Sequence, residues 1–197
     1  IGVIGYGFMG KVHSNAYLKI PYTYESPAAY PELVAMAGRS EGVLVDTARR
    51  FGYRGVYTDW RELIQDPDVQ VVDNCTPDDL HAEASIAALE AGKHVVCEKP
   101  LAMSVADARR MRDAAARSGR KHLLCHNYRF MPAVRLARQL IAEGRLGTIY
   151  QFRGRYLQQI GHDPDERTEN VWYASGTRSG VLLGIGAHHI ESLERCV

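Results

Sequence analysis

Two sets of residues in this chain have the types and spacing that chemistry needs. Gly5, Gly7 and Gly10 follow an apolar run in G-x-G-x-x-G spacing, and Lys99 stands between Glu98 and Pro100 at the end of another apolar run. In the first set, Gly5 lets the backbone turn sharply out of a strand. Gly7 lacks a Cβ, so a pyrophosphate can come close, and Gly10 lets the next helix pack near the strand. The backbone N–H groups of Phe8, Met9 and Gly10, with the positive end of the helix dipole, then face a phosphate. An isolated glycine-rich turn need not bind anything. Here Ile1, Val3 and Ile4 precede it and a helical pattern over residues 8–18 follows, which is the context a dinucleotide site requires. In the second set, a lysine at the tip of a buried strand is a candidate proton carrier, because desolvation and a nearby cation both depress its basicity. Spacing alone leaves a second reading open, a lysine paired structurally with Glu98.

These residues need elements to position them. Apolar, strand-like runs at residues 33–37, 69–74, 94–98 and 123–127 alternate with helical patterns at 43–51, 81–91 and 105–118. A short helix starts at Thr58-Asp59 with Asp59 as its N-cap and Leu63 and Ile64 turned inward. Residues 21–31, rich in Pro, Tyr and Ala, read as an irregular loop. Alternation of this kind predicts a doubly wound parallel sheet whose ligand lies at the carboxyl ends of the strands. The glycines, Arg39-Ser40, Thr76-Pro77, Glu98-Lys99 and Asn127-Tyr128 all fall at such ends. Past Pro132 the pattern changes to a helix over 133–143, a strand-like run over 148–158, a polar stretch over 161–179 and a glycine-rich lead into a helix carrying His188 and His189. The expected division is a dinucleotide-binding domain over 1–129 and the start of an α+β domain with an open, mainly antiparallel sheet over 130–197.

The tip of the second strand carries no acidic residue of the kind that holds two free ribose hydroxyls. Arg39 and Ser40 stand there instead and suit a 2′-phosphate, so NADP(H) is the expected cofactor. Glu41 beside them keeps NAD(H) as the alternative.

At 197 residues and a net charge of +1, with no long basic run, the chain gives no electrostatic reason to expect nucleic acid or a membrane surface as partner. No apolar stretch is long enough to cross a bilayer and no secretory leader is visible, so a cytoplasmic protein is expected. Cys75, Cys97, Cys125 and Cys196 are widely spaced, which reads as reduced thiols without disulfides. His162, Asp163, Asp165 and the histidine pair lack the tight spacing of ligands, and no metal site is expected. The sequence opens inside a strand without Met and stops in a helical pattern, as a piece of a longer chain would.

The stretches GVIGYGFMGKVHSNAY, VVDNCTPDDLHAEASIAALEAGKHVVCEKPLA, HNYRFMPAV and GTIYQFRGRYLQ together resemble the Gfo/Idh/MocA family of NAD(P)-dependent oxidoreductases. Within that family the pattern is similar to a branch of inositol and levoglucosan dehydrogenases. The resemblance implies that Lys99 is the E-K-P lysine of the active site, and that Glu98, Thr76, Pro77 and His81 belong to the cofactor crevice. It aligns the family's D-x-G-x-H segment with residues 184–188, keeping the histidine as His188 and placing Gly184 where the family has aspartate. His188 is then the general acid/base and Lys99 the group that polarises the reacting oxygen. Asn127, Tyr128, Gln158 and His189 become candidate substrate contacts, although His189 lies one position round the helix from His188 and cannot share its direction.

The implied activity is hydride transfer between nicotinamide and a ring carbinol or ketone of a sugar or polyol, in a homodimer or homotetramer. Gly184 supports a competing reading as a non-catalytic dinucleotide sensor, and a reductase of a non-sugar substrate would keep the same cofactor site.

Overall fold

The computed structural model describes residues 1–157 and 180–196, and it divides into two compact units, 1–125 and 126–197. The first unit is built on strands β1 (Gly2–Ile4), β2 (Ala35–Ala37), β3 (Gly55–Tyr57), β4 (Val71–Asn74), β5 (His94–Cys97) and β6 (His122–Leu124). Between them run helices α1 (Phe8–Thr23), α2 (Glu41–Phe51), α3 (Trp60–Gln65), α4 (His81–Glu90) and α5 (Val105–Ser118). The strands form one sheet in the order β3-β2-β1-β4-β5-β6, and every pairing is parallel. Order reverses between β1 and β4, where a doubly wound sheet opens its ligand crevice.

Strand alternation sends successive side chains to opposite faces. Val3 and Met36 pack with Leu44, Ala48 and Tyr53 on one face, while Ile4, Ala35 and Ala37 join Leu63, Ala84, Ala88 and Met111 on the other. Both faces are thereby covered, as a parallel sheet requires.

Local chemistry explains most boundaries. The Asp59 carboxylate accepts the Arg61 N–H at 2.9 Å and starts α3, with Leu63 and Ile64 buried as expected. The Ser104 hydroxyl accepts the Asp107 N–H at 3.0 Å and starts α5, which stops at Gly119 in the left-handed conformation.

Three expectations are corrected in the first unit. Helix α1 runs through Pro21 to Thr23, where a loop was expected from residue 21. Pro21 brings no N–H for the Tyr17 carbonyl, yet the helix continues past it and Tyr24 N–H closes the end on the Ile20 carbonyl at 3.1 Å. Strand β3 was missed because three residues are too few to show alternation; parallel register with β2 defines it. The strand expected over 123–127 is shorter, ending at Leu124, and Asn127–Phe130 forms a 3-10 turn.

In the second unit the described residues form helix α6 (Pro132–Ala142), a π-helical turn at Leu182–Gly186 and helix α7 (Ala187–Cys196). Residues 148–157 of the expected run do not form a strand: no described strand lies in ladder register with them, and Tyr156 instead meets Tyr128 through its hydroxyl and its ring. No described helix is long and apolar enough to cross a membrane.

Candidate functional site

The loop between β1 and α1 has the shape its glycines permit. Gly5 sits at φ +105, and a Cβ there would meet the Cys75 carbonyl oxygen at 2.5 Å. A Cβ on Gly10 would fall on the Gly5 carbonyl oxygen itself. Gly7 faces open space and N-caps α1 without a side-chain cap, and the first turn holds no acidic residue. The early N–H groups of the helix, those of Phe8, Met9 and Gly10, are therefore left for an anion, and this cradle fits a dinucleotide pyrophosphate.

At the tip of β2, Arg39 and Ser40 are exposed. Tyr6, inside the glycine motif, lies against this tip: a Cβ on Gly38 would collide with its ring, and its hydroxyl accepts the Ser40 N–H at 3.2 Å. Glu41 occupies the first turn of α2.

The turns after β4 and β5 are fixed by buried amide and imidazole groups. Asn74 donates to the His81 carbonyl at 3.1 Å and to the Ser85 hydroxyl at 3.0 Å, while its oxygen accepts the Thr76 N–H at 3.2 Å and hydroxyl at 2.6 Å. His81 is wholly buried, with Nδ1 2.6 Å from the Pro100 carbonyl and Nε2 3.0 Å from the Thr76 carbonyl. It ties the Thr76-Pro77 turn to the Lys99-Pro100 turn. Burial on every side makes it a support of the crevice and keeps it from the crevice surface. Lys99 is half-buried between buried Glu98 and Pro100, its N–H donates to Glu98 Oε2 at 3.2 Å, and the Lys99–Pro100 peptide is cis.

Next to these turns lies a polar cluster that motif spacing did not reveal. His13 on α1 places Nδ1 2.8 Å from Asp73 Oδ2 and Nε2 3.1 Å from Glu98 Oε1. The Tyr17 hydroxyl donates to Asp73 Oδ2 at 2.9 Å, and Cys75 Sγ lies 3.4 Å from His13 Nδ1. Burial works against a charge on His13, yet its hydrogen bonds to Asp73 and Glu98 and their charges push its pKa up to about 10. Burial raises the Tyr17 hydroxyl, with Asp73 adding to it, and burial raises the Cys75 thiol as well. Two trios, His13 with Asp73 and Cys75 and His13 with Glu98 and Cys125, bring ligand-type atoms within 4.8 Å of one another. With both ring nitrogens turned to carboxylates and the Cys75 thiol held protonated, the group is an ion cluster in which one imidazolium bridges two carboxylates.

A pH dependence follows. The folded His13 titrates near 10 against an ordinary 6.5, so its contribution to stability is complete below about 6.5 and is lost as pH rises through about 10. Urea unfolding is expected to show stability falling between neutral pH and about pH 10. In His13→Gln the fall should be smaller, and the protein should be about 3–5 kcal/mol less stable at neutral pH because two buried carboxylates lose their counter-charge. An equal fall in both proteins would contradict the assignment.

In the second unit His188 is buried, its ring stacked on Tyr128 at 4.2 Å between centroids and edge-on to His126 at 5.8 Å. The π-helical turn that carries buried Gly184 immediately precedes it. Arg129 and Glu191 pair at 2.9 Å with little exposure of either. His189 instead faces residues 152–154, 5.9 Å from the Phe152 ring, so the two histidines diverge as helical geometry demands. Asn127 is exposed in its 3-10 turn, and Gln158 lies outside the described residues.

The structure thus gathers Gly5, Gly7, Gly10, Thr76, Pro77, Glu98 and Lys99 at the carboxyl ends of β1, β4 and β5, and it groups Tyr128 with His188. His13, Asp73, His126 and Tyr6 were not singled out from sequence. A signal for His13 did exist. Gly10, Ser14 and Tyr17 recur at helical spacing on the side of α1 that meets the sheet, with Ser14 fully buried, and His13 adjoins that stripe.

Residues 1–126 match the family model described as "Oxidoreductase family, NAD-binding Rossmann fold", and residues 134–196 match "GFO/IDH/MocA C-terminal domain". A levoglucosan dehydrogenase of Pseudarthrobacter phenanthrenivorans is 44% identical over 191 residues, covering 97% of this chain and 49% of that protein. A 1,5-anhydro-D-fructose reductase of Ensifer adhaerens is 43% identical over 165 residues, 82% of this chain and 48% of that one. A solved levoglucosan dehydrogenase in complex with NADH and L-sorbose superposes with a TM-score of 0.93 at 42% identity, covering 100% of this chain and 52% of that chain. The chain spans about half the length of the relatives it matches.

Proposed function

Because this chain belongs to the Gfo/Idh/MocA family of oxidoreductases, we propose that its protein transfers hydride between a nicotinamide cofactor and a ring carbinol or ketone of a sugar or cyclitol. The observation that carries the reading is the meeting of an anion cradle with the Glu98-Lys99-Pro100 turn at one edge of the parallel sheet, on the crevice side of β1, β4 and β5. Sugar and anhydrosugar chemistry in the relatives' names supports the substrate class.

Nicotinamide supplies the hydride acceptor or donor when bound. The chain supplies the rest. The N–H groups of Phe8, Met9 and Gly10 hold the pyrophosphate, while Thr76, Pro77 and Glu98 line the crevice and His81 braces its wall. Lys99 polarises the reacting oxygen, and His188 takes the hydroxyl proton in oxidation and returns it in reduction. Asn127, Tyr128, Gln158 and His189 are the residues proposed to meet substrate hydroxyls, in a homodimer or homotetramer. Gly184, where the family carries aspartate, favours a second reading in which the fold binds dinucleotide as a sensor without turnover.

For the cofactor, exposed Arg39 and Ser40 support NADP(H). NAD(H) is the alternative, supported by Tyr6 holding the Ser40 N–H and by Glu41 in the first turn of α2. One experiment tests both points: full-length protein is supplied with a ring ketone and with NADPH or NADH deuterated at the transferable position. Deuterium on the product carbinol carbon is expected, with NADPH used roughly tenfold better and that preference lost in Arg39→Ala. Unlabelled product would overturn the hydride reading, and a preference unmoved by Arg39→Ala would overturn the cofactor assignment.

A further inference from the structure

We propose that His13 is a positioning residue that acts through Glu98 to set the place and basicity of Lys99. The inference rests on the reading that Lys99 serves the active site. It starts from the two oxygens of one buried carboxylate. Glu98 Oε1 lies 3.1 Å from His13 Nε2, and Glu98 Oε2 accepts the Lys99 N–H at 3.2 Å. One carboxylate therefore couples the imidazole on α1 to the backbone of the lysine itself.

The imidazole cannot turn away. Its other nitrogen lies 2.8 Å from Asp73 Oδ2, whose position on β4 is fixed further by the Tyr17 hydroxyl at 2.9 Å. Carboxylates only accept, so both nitrogens must donate, and an imidazole with two N–H groups is a cation. The groups facing it are Tyr17 on its own helix, Asp73 and Cys75 at the end of β4, Glu98 after β5 and Cys125 after β6. Among these the two carboxylates supply the negative charge that stabilises the cation.

On the far side of the turn, His81 faces the Pro100 carbonyl at 2.6 Å. The segment 98–100 is thus held at the Glu98 carboxylate, the Lys99 amide and the Pro100 carbonyl, and the half-buried Lys99 side chain leaves from a gripped backbone. A charged imidazole engages Glu98, and without it Glu98 becomes the natural counter-ion of the adjacent lysine, which would hold Lys99 protonated.

The test uses full-length protein with dimethylated lysines followed by 13C NMR titration, Lys99→Met identifying the Lys99 signal, alongside kcat and KM. In His13→Gln the Lys99 midpoint is expected to rise by about one unit, and kcat to fall roughly tenfold with the sugar KM within about threefold. His13→Gln strands two carboxylates, so the double variant His13→Gln/Asp73→Asn, which leaves only Glu98 charged, serves if the single one does not fold; the same rise is expected. An unmoved Lys99 midpoint in the folded variant overturns the proposal. If Lys99→Met retains full turnover, the active-site reading of Lys99 fails separately, and the midpoint still decides whether His13 governs that lysine.

Discussion

Gly10→Ala is expected to abolish useful dinucleotide binding, weakening it at least about 100-fold, and to destabilise the fold by roughly 1–3 kcal/mol. The added Cβ would occupy the Gly5 carbonyl oxygen. Gly5 cannot give way, because its N–H donates to the Ala37 carbonyl at 2.8 Å and its φ of +105 is set by the turn out of β1. Helix α1 must instead retreat from the strand, taking its N-terminal amides with it. Gly7→Ala is the control, since nothing lies within 4 Å of a Cβ there. It should leave stability within about 0.5 kcal/mol while still weakening binding, because its methyl group points into the space a phosphate would fill. Calorimetric titration with both cofactors and thermal melts separate the two effects. Wild-type affinity in Gly10→Ala would show that the glycine cradle is not the binding site.

Lys99→Met should lower kcat by about 10²–10⁴ while leaving dinucleotide affinity within about threefold. Methionine keeps the apolar stem of the lysine and removes the ammonium, so packing in the half-buried turn changes little. The proposed cofactor cradle is made of backbone amides on α1 and does not include this side chain. Stopped-flow measurement of cofactor binding beside steady-state turnover reads the two quantities separately. Undiminished kcat would remove Lys99 from the mechanism, and a parallel collapse of binding and turnover would assign it to cofactor retention.

Sequence made the sheet and its ligand edge legible for physical reasons that differ from element to element. β1 is buried on both faces and reads as an apolar run, and the Val pairs of β4 and β5 mark those strands; the glycines after β1 are demanded by a close approach and a left-handed turn. Asp59 announced α3 because an N-cap leaves a local signature. Strand β3 left none, since its three residues are defined only by hydrogen bonds to β2. Pro21 misled because a proline away from the first turn ordinarily ends a helix, whereas α1 continues past it to Thr23.

The His13 cluster was hidden for a deeper reason. Asp73 and Glu98 lie 60 and 85 residues from His13 along the chain, and only the packing of α1 across the ends of β4 and β5 unites them. His81 was noticed as part of a motif, but its two carbonyl partners, which turn it from a crevice wall into a brace, belong to turns that sequence does not dock. In the second unit, His188, whose ring stacks on Tyr128, directly follows a π-helical turn at Leu182–Gly186 that composition alone reads as a glycine-rich lead.

The measurement that bears most directly on the central claim is the change in nicotinamide absorbance when full-length protein meets NADP or NAD with a panel of anhydrosugars, aldoses and inositols. Turnover of at least one ring polyol is expected, absent in Lys99→Met. Tight cofactor binding with no turnover across the whole panel would contradict it and make the fold a dinucleotide sensor whose Gly184 marks the missing chemistry.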